Sequence, residues 1–346
     1  MDKRTRQRHQ QRKRAICSIK SIRSLCGLLN IDQRRLFLLA RKPPYNSFTI
    51  PKKEGGERLI ETPTPELKRV LRTLNSFLQS VYFFEKSSAA YGFITGVAND
   101  DDRRNVVTNA RKHLGKKYLL NIDLQDFFHT IKREQVVFIF AEPPFQLRGE
   151  LPDLLADLTT FHGRLPMGAP TSPTLSNFAC RALDAELIAF AKDMLWTFTR
   201  YADDMSFSSN QAFPAEKLNS VRSIIEKSGF AVNERKVQLF GPDDEKIVTG
   251  LLVGEQVTLA PDYLPKLKAE IEQLQDIMRA QNEQGQLETK WVENLKKQVQ
   301  GRLNFAGFVL RRNSPAYVEL RDAYQQAIHP PQEEFGAINW RAFPYN

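Results

Sequence analysis

Two adjacent carboxylates, Asp203 and Asp204, interrupt a stretch in which apolar residues nearly alternate with smaller or polar ones. This alternation, from Trp196 to Phe207, is typical of a half-buried strand, whereas Asp is disfavoured in strands and common in turns. We therefore predict a hairpin with residues 202–204 at its tip. Two neighbouring carboxylates repel each other unless a cation binds them, so the tip has the character of half a divalent-metal site. A solvated Asp-Asp turn explains this stretch equally well.

A third carboxylate, Asp123, ends the apolar run at residues 118–123, which predicts a buried strand. If this strand lies beside the hairpin in an antiparallel sheet, three carboxylates converge and can hold two Mg²⁺ ions. Two such ions lower the pKa of an attacking hydroxyl and stabilise a leaving pyrophosphate. Lys236 could then donate a proton to the leaving group. Together these residues predict nucleotidyl transfer.

Two alternating runs on either side of a Gly-Gly pair predict a second hairpin, over residues 48–61. Its tip and return strand carry Lys52, Lys53 and Arg58. Several cationic donors of this kind can bind a nucleoside triphosphate. A charged hairpin that faces solvent accounts for this stretch equally well.

The positive charge of the chain is concentrated at its start. The 346 residues carry a formal net charge of +10, and residues 1–14 contain seven Lys or Arg and one Asp. We expect a basic arm here that is flexible when free and that could lie along a phosphate backbone. A disordered solubilising tail is the alternative. The smaller positive charge of the remaining chain suits a nucleic-acid partner.

Composition also bears on the compartment. No apolar run approaches the roughly 18–20 residues of a membrane span, and the N-terminus lacks the apolar segment of a secretory signal. Cys17, Cys26 and Cys180 have neither a close pairing nor a metal-type spacing. We expect a reduced cytosolic compartment, no contact with a membrane and no structural zinc.

Apolar residues at helical spacing predict the elements that position these groups. The predicted helices cover residues 15–42, 65–82, 101–113, 134–162 and 214–229, with a further long helix that begins at Pro173. We predict that Asp32 caps one helix and that the acidic run at 100–102 caps another. Residues 233–239 are predicted to form a strand, and residues 247–259 a hairpin.

The chain resembles reverse transcriptases over residues 30–320, because several motifs occur in the order that is typical of that family. The motifs are Tyr201-Ala202-Asp203-Asp204, Asp123 with Phe128, residues 168–173, residues 48–63, and Gly229-Phe230 with Asn233 and Lys236. They are similar, in turn, to the Tyr-x-Asp-Asp signature, the first catalytic motif, the template-and-dNTP loop, the fingers hairpin and the motif that carries a proton-donating lysine.

The resemblance implies an α+β fold, a right-hand polymerase with fingers, an antiparallel-sheet palm and an all-helical thumb. After Pro261 the pattern is purely helical, so a boundary is expected near residues 260–262. The expected domains are a basic N-terminal arm at 1–14, N-terminal helices and fingers at 15–117, a palm interleaved with fingers at 118–260, a helical thumb at 261–329 and a C-terminal tail at 330–346.

The resemblance also implies roles for individual residues. Asp123, Asp203 and Asp204 correspond to the metal ligands, with Asp204 coordinating less directly, and Mn²⁺ is an alternative to Mg²⁺. The residues expected to bind the dNTP are Lys52, Lys53, Arg58, Phe128, Met167, Gly168 and Tyr201. Phe128 stands where the family keeps a bulky residue against the sugar 2′-position. Met167 stands where many reverse transcriptases have Gln, which removes a polar contact to the nucleotide.

Two further motifs resemble signatures of bacterial retron reverse transcriptases. They are the Asn-Ala-x-x-His motif from Asn109 to His113 and the Val-Thr-Gly motif at residues 248–250. The residues expected to bind RNA are Asn109, His113, Val248, Thr249, Gly250, Lys266, Lys268, Lys296 and Lys297. A capping or surface role is the alternative for Asn109 and His113, and packing in a strand is the alternative for Thr249.

Retron enzymes, by resemblance, start DNA synthesis from the 2′-OH of a guanosine in a cognate structured noncoding RNA. The product is a branched RNA–DNA hybrid, the multicopy single-stranded DNA (msDNA). The expected partners are therefore this RNA, its RNA–DNA product, dNTPs and a separate effector protein in antiphage defence. Another bacterial reverse transcriptase, such as a group II intron type, and a nonenzymatic RNA-binding scaffold are the alternatives.

Overall fold

The structure is a computed structural model that describes residues 3–51, 55–96, 102–283 and 289–329. The chain divides into two compact units. The first comprises Met1–Thr249 and Val253–Gln256, and the second comprises Gly250–Leu252 and Val257–Asn346. No helix in the described part of the chain is long and apolar enough to cross a membrane.

The first part of the chain mixes helices and strands, whereas the last part is almost entirely helical. The helices are α1 (Lys3–Cys17), α2 (Ile22–Leu29), α3 (Gln33–Arg41), α4 (Pro65–Glu85), α5 (Val106–Arg111), α6 (Phe127–Thr130), α7 (Arg133–Ala141), α8 (Leu151–Thr159), α9 (Ser172–Ala179), α10 (Arg181–Asp193), α11 (Ala215–Lys227), α12 (Tyr263–Glu283), α13 (Lys290–Leu310) and α14 (Pro315–Ile328). The strands are β1 (Tyr45–Pro51), β2 (Glu57–Pro63), β3 (Tyr118–Asp123), β4 (Thr197–Tyr201), β5 (Asp204–Ser209), β6 (Gln238–Phe240), β7 (Ile247–Val248), β8 (Leu251–Val253) and β9 (Val257–Leu259).

A four-stranded antiparallel sheet with the order β4-β5-β3-β6 forms the predicted palm. β3 lies in the interior of the sheet, and its apolar residues Leu119, Leu120 and Ile122 are buried, as the apolar run predicted. β4 and β5 form the predicted hairpin, and Met205 and Phe207 of β5 are buried in the core. The alternation of the sequence therefore places the three acidic residues at one end of this sheet.

The predicted basic hairpin is confirmed as strands β1 and β2, which pair from Tyr45 opposite Pro63 to Pro51 opposite Glu57. Gly55 and Gly56 both have positive φ angles, of 87° and 82°, which glycine adopts without steric cost. Lys52 and Lys53, which we expected to bind the dNTP, lie outside the described residues.

The expectation of a flexible basic arm at 1–14 is wrong for the described residues 3–14, because they belong to helix α1, which packs against α4. His9 is buried, and its Nδ1 lies 3.0 Å from the Ser80 hydroxyl. The Lys13 ammonium donates a 2.6 Å hydrogen bond to Glu85. Only a few residues on one face of α1 contact α4. Because charged residues occupy most other positions of α1, the amphipathic pattern was not recognised in the sequence.

Three local predictions also differ from the structure. Helix α5 begins at Val106 and is capped by Asn105, while Asp102 of the acidic run instead pairs with Arg104 at 2.7 Å. Within the segment predicted as a strand at 233–239, a 3₁₀ turn occupies Glu234–Lys236. The long helix predicted from Pro173 is divided into α9 and α10 at Cys180. Asp32 does cap α3, since its carboxylate accepts hydrogen bonds from two backbone amides.

The three helices of the second unit, α12, α13 and α14, pack against one another, as the sequence predicted. Leu267, Ile271 and Leu274 form the buried face of α12. A Cβ atom at Gly307 of α13 would lie 2.5 Å from the ring of Tyr317, so glycine permits the close approach of α13 to α14.

His113, just after α5, is a buried histidine that connects two strands of the palm sheet. Its Nδ1 lies 2.7 Å from the Ser208 hydroxyl of β5, and its Nε2 lies 2.8 Å from the Thr199 hydroxyl of β4. Burial, and to a smaller extent Lys116, lowers the pKa of His113 to about 3. The folded state therefore holds the imidazole neutral at physiological pH.

We predict that the stability of the chain decreases on acidification because of His113. An imidazole with a lowered pKa in the folded state stabilises the fold above its unfolded pKa of about 6.5, and this contribution is lost as the pH falls toward 3. Between pH 7 and pH 5 the loss from this group is about 2 kcal/mol. Urea unfolding of the unaltered chain and of His113→Gln at the two pH values measures it.

In His113→Gln, the loss of unfolding free energy between pH 7 and pH 5 should be smaller by that amount. His329→Gln, at an exposed histidine, is the matched control and should behave as the unaltered chain does. Equal acid sensitivity of His113→Gln and the unaltered chain would show that His113 is not the titrating group.

Candidate active site

Three carboxylates meet where strand β3 ends beside the β4–β5 hairpin. In the register of β3 and β5, Asp123 lies opposite Asp204, the first residue of β5. Asp203 occupies the turn between β4 and β5, and its carbonyl accepts a 3.2 Å hydrogen bond from the Leu124 amide. The structure therefore brings together the three acidic residues that the sequence singled out.

Two of these carboxylates, Asp203 and Asp204, have raised pKa values. Burial raises the pKa of Asp203, and the charge of Asp123 adds to this effect. The surrounding protein raises the pKa of Asp204 to about 7, first by excluding water and then by repulsion from Asp203 and Asp123. The Asp204 side chain keeps access to solvent. A bound cation would remove the part of the rise in its pKa that comes from repulsion.

Asp123 is held by two residues of the segment that follows α11. The Asn233 amide donates a 3.1 Å hydrogen bond to Asp123 Oδ1, and the Lys236 ammonium donates a 3.2 Å hydrogen bond to Oδ2. The Asn233 backbone amide also donates to the Asp123 carbonyl, at 2.8 Å. The 3₁₀ turn at Glu234–Lys236 thus places Lys236, the predicted proton donor, directly at the carboxylates.

A cavity of about 780 Å³ opens beside the carboxylates. Its lining includes six of the residues that sequence analysis proposed for catalysis or dNTP binding: Arg58, Asp123, Phe128, Met167, Asp203 and Lys236. Tyr201 and Gly168 are not part of this lining. Phe128 is half-buried, and its ring packs against those of Phe127 and Phe93, at centroid distances of 5.3 and 5.9 Å.

Gly168 connects the loop at 168–173 to strand β2. Its φ angle is 134°, and a Cβ atom there would lie 2.7 Å from the Glu61 carbonyl oxygen. The Glu61 amide donates a 2.8 Å hydrogen bond to the Met167 carbonyl. The buried Glu61 carboxylate accepts two hydrogen bonds from Arg164, at 2.7 and 3.0 Å. Sequence analysis missed Glu61 and Arg164, which anchor the basic hairpin to this loop.

Sequence analysis also missed Arg200, which lies under the turn that carries the carboxylates. Its guanidinium group is fully buried and donates to both oxygens of Asp184, at 2.6 and 2.8 Å. The same group donates to the Ala202 carbonyl at 3.0 Å and to Asn177 at 3.2 Å. Ala202 has a positive φ of 60°, so Arg200 supports a strained residue of the turn.

Gly92 completes the support of this turn. A Cβ atom at Gly92 would lie 2.5 Å from the Ala202 nitrogen, so only glycine fits against the turn. The Asn177 side chain donates a 3.0 Å hydrogen bond to the Gly92 carbonyl, and the Tyr91 amide donates to the Arg200 carbonyl at 2.8 Å. The signal in the sequence that could have revealed this network is an arginine within a predicted half-buried strand.

The reverse transcriptase (RNA-dependent DNA polymerase) family matches residues 50–264, which is more than half of the chain. The chain belongs to the reverse transcriptase family. It has the α+β, right-hand polymerase fold of that family, with the four-stranded sheet as palm and the helices from α12 onward as thumb.

Several curated relatives of this chain are retron reverse transcriptases. The retron Mx162 reverse transcriptase of Myxococcus xanthus is 33% identical, over 70% of this chain and 56% of that protein. The retron Ec86 reverse transcriptase of Escherichia coli is 29% identical, over 70% of this chain and 74% of that protein. The retron Ec73 reverse transcriptase of Escherichia coli is 31% identical, over 61% of this chain and 69% of that protein. These relatives confirm the resemblance to bacterial retron reverse transcriptases.

The chain spans between about half and three quarters of the lengths of these relatives. Among solved structures, telomerase from Candida albicans in complex with a TWJ fragment of telomeric RNA matches 84% of this chain and 64% of that one. The TM-score of this match is 0.44, and the sequence identity is 11%.

The palm carboxylates have the donor chemistry that Mg²⁺ prefers, because all three offer hard carboxylate oxygens. Burial and neighbouring carboxylates raise the pKa values of Asp203 and Asp204, and a cation bound between these side chains would offset the repulsion. Within the described residues, however, no three His, Cys, Asp or Glu side chains are arranged to enclose a metal ion. Both oxygens of Asp123 accept hydrogen bonds, one from Asn233 and one from Lys236.

The residues of the two retron motifs lie mostly inside the palm. Asn109 and His113 are 1% and 2% exposed, and Val248 is fully buried. Thr249, with a φ of 48°, forms a turn with the exposed Gly250, so the packed-strand alternative is wrong for Thr249. The Asn109 amide donates a 3.4 Å hydrogen bond to the Thr249 hydroxyl. Because the side chains of Asn109 and His113 are buried, they are not available for direct contact with RNA. They instead form hydrogen bonds within the first unit.

The four thumb lysines proposed for RNA binding differ in their partners. Lys266 pairs with Asp262, Lys268 lies 3.8 Å from Glu319, and Lys297 lies 3.8 Å from Glu293. The carbonyl of Lys296 accepts a hydrogen bond from the Tyr324 hydroxyl. The side chains of Lys266, Lys268 and Lys297 are more than half exposed, so they remain available to phosphate groups.

We predict that Arg200 positions the catalytic turn in addition to stabilising the palm. Arg200→Met leaves the Asp184 carboxylate buried and unpaired, which should lower the unfolding free energy by about 3–5 kcal/mol. Arg200→Met/Asp184→Leu removes both charges and should recover most of that stability. The Ala202 carbonyl still lacks its donor, so kcat for dNTP incorporation should remain about tenfold low with KM for the template–primer unchanged.

Urea unfolding and steady-state incorporation on the unaltered chain and the two variants separate these effects. Full recovery of kcat in Arg200→Met/Asp184→Leu would mean that Arg200 contributes only stability.

Proposed function

We propose that this chain is an RNA-directed DNA polymerase that adds deoxynucleotides to a growing strand in the bacterial cytoplasm. The observation that carries this proposal is the register of the palm. Asp123 lies opposite Asp204, and Asp203 lies beside a cavity whose lining carries the cationic side chains of Arg58 and Lys236. Carboxylates for a divalent cation and cations for a triphosphate are the two charge requirements of nucleotidyl transfer.

Asp123, Asp203 and Asp204 would hold two Mg²⁺ ions, with Mn²⁺ as an alternative. When bound, such ions lower the pKa of the attacking hydroxyl and neutralise charge on the phosphates. Each Asp123 oxygen accepts one hydrogen bond, from Asn233 or from Lys236, and keeps a second lone pair for a metal ion. The Lys236 ammonium would hold a proton near the leaving pyrophosphate.

The other cavity residues would bind and select the nucleotide. Arg58, together with Lys52 and Lys53, would bind the triphosphate. Met167 lines the cavity, and Gly168 beside it packs against Glu61 of strand β2. Phe128 lines the cavity on an aromatic base of Phe127 and Phe93, so its ring is well supported as a steric barrier to a ribose 2′-OH.

We further propose that the reaction is of the retron kind. The enzyme would copy part of a cognate structured noncoding RNA, starting from the 2′-OH of a guanosine, and would yield branched msDNA. A separate effector protein would act with it in antiphage defence. The two retron motifs and the names of the curated relatives support this proposal. A different bacterial reverse transcriptase is the main rival, and a nonenzymatic RNA-binding scaffold is the weaker one.

We predict that Asp203→Asn/Asp204→Asn abolishes DNA synthesis and leaves the fold intact. Removing the two charges should reduce incorporation on an RNA template at least about a thousandfold, because metal ions contribute several kcal/mol to such reactions. The unfolding free energy at pH 8 should not fall, since the exchange also removes the repulsion that raises the pKa of Asp204. RNA binding should stay within about twofold of the unaltered chain.

Cells that express the chain with its flanking DNA supply the second measurement. A denaturing gel should show a DNase-sensitive band that shifts after RNase or debranching treatment and is missing with the double variant. Primer extension without such a band would favour another kind of reverse transcriptase. Absence of both would favour the scaffold, and synthesis by the double variant would refute the metal assignment.

We predict that Phe128→Ala admits ribonucleotides. Without the ring, the ribose 2′-OH meets open space, so discrimination between dNTP and rNTP should fall by about 10–100-fold, the range for a steric pocket contact. The measurement is kcat/KM for dCTP and rCTP on one RNA template. Phe138→Ala, at a ring that is 66% exposed outside this cavity, is the matched control. Unchanged sugar discrimination in Phe128→Ala would contradict the role of this ring.

A further inference from the structure

A second cavity, of about 410 Å³, lies between helices α1 and α4, away from the carboxylates. Arg8 and Arg12 of α1 and Arg72 of α4 line it, and we call it the α1–α4 groove. Arg8 and Arg12 are four residues apart, so they lie on one face of α1, about 6 Å apart along the helix axis.

The α1–α4 groove concentrates positive charge. Its lining contains no Asp or Glu among the described residues, and within that part of the chain none of the three guanidinium groups has a hydrogen-bond or ion-pair partner. Lys13, by contrast, is paired with Glu85. Burial lowers the pKa of His9, and repulsion from Arg8 and Arg12 adds to this effect, which keeps one further positive charge away.

The groove has a rigid base. His9 of α1 is hydrogen-bonded to Ser80 of α4, and its ring stacks on Phe83 at a centroid distance of 5.0 Å. This contact fixes the face of α1 that carries the two arginines against α4. Arginines on a fixed scaffold lose less conformational freedom when they bind an anion than arginines on a mobile arm.

The floor of the groove is joined to the helix that follows the template-and-dNTP loop. The Gln79 side chain donates a 2.7 Å hydrogen bond to the Thr174 hydroxyl, which donates at 2.7 Å to Asn75. Thr174 lies in the first turn of α9, immediately after the loop at 168–173. The α1–α4 groove is therefore linked by hydrogen bonds to α9, the helix that follows the loop of Met167 and Gly168.

We propose that the α1–α4 groove binds phosphodiester groups of the single-stranded RNA template outside the active site. This inference rests on the proposed function in that it takes the RNA to be the template. Guanidinium groups bind phosphate oxygens in pairs of hydrogen bonds, and three of them without acidic partners can follow a strand of phosphates. The connection through Thr174 to α9 favours a template strand over an unrelated anion.

The test compares two triple variants with the same change in net charge. Arg8→Gln/Arg12→Gln/Arg72→Gln removes the groove arginines, and Arg6→Gln/Arg14→Gln/Arg23→Gln removes three exposed arginines outside its lining. Both are made in the Asp203→Asn/Asp204→Asn background, so that binding is measured without synthesis. The probes are fluorescent RNA–DNA hybrids with a 5′ RNA overhang of 2 or 12 nucleotides, or with a DNA overhang of 12.

We expect the long RNA overhang to tighten binding in the background protein and in the control triple variant. In the groove variant this gain should vanish, and the slope of log affinity against log salt should become shallower by about 2, as expected for three lost contacts to a single strand. Urea unfolding midpoints should agree among the three proteins, because none of the six arginine side chains has a hydrogen-bond or ion-pair partner among the described residues.

An unchanged gain from the long RNA overhang in the groove variant would overturn the proposal. So would an equal loss in both triple variants, which would indicate only general electrostatics. Loss of the gain from the DNA overhang alone would assign the groove to the product strand instead. Because binding is read without synthesis, failure of the chain to polymerise DNA would refute the proposed function and leave the groove to be judged separately.

Discussion

Repulsion among Asp123, Asp203 and Asp204 is the constraint on which the rest of the palm depends. Left to themselves, these carboxylates would separate or take up protons. Burial raises the pKa of Asp204, and repulsion from Asp203 and Asp123 raises it further. The backbone prevents their separation, because six residue pairs of β3 and β5 fix Asp123 opposite Asp204. Asn233 and Lys236 balance part of the charge at Asp123. The fold thus brings the carboxylates together before a cation binds, and a bound cation would offset their repulsion.

Buried ion pairs support the two loops that border the cavity. Arg200 and Asp184 lie beneath the catalytic turn, and Glu61 and Arg164 hold strand β2 against the loop of Gly168. Such pairs contribute little net stability, because removing two charges from water offsets most of their attraction. Their position at strained backbone, at Ala202 and Gly168, indicates that they fix local geometry. Each pair also binds a neighbouring loop or strand, which a hydrophobic pair of similar size could not do.

The parts of the fold that were predicted correctly depend on local patterns. Alternation predicted β3 and the β4–β5 hairpin, and a Gly-Gly pair predicted β1 and β2, because a strand face and a tight turn are specified by adjacent residues. Contacts between distant segments were not predictable. Helix α1 is held by a histidine 71 residues away from its partner serine, and Arg200 depends on side chains from α9 and α10. No period in the sequence encodes such contacts.

Polar residues of the two retron motifs, which were expected to bind RNA, lie in the interior of the fold. Asn109 and His113 occupy the interior, and both ring nitrogens of His113 have hydroxyl partners, one on β4 and one on β5. Asn109 reaches Thr249, 140 residues later, so the two motifs meet at one hydrogen bond. Thr249 and Gly250 both have positive φ angles, a backbone shape that needs such support. The two motifs, far apart in the sequence, therefore support one turn of the fold.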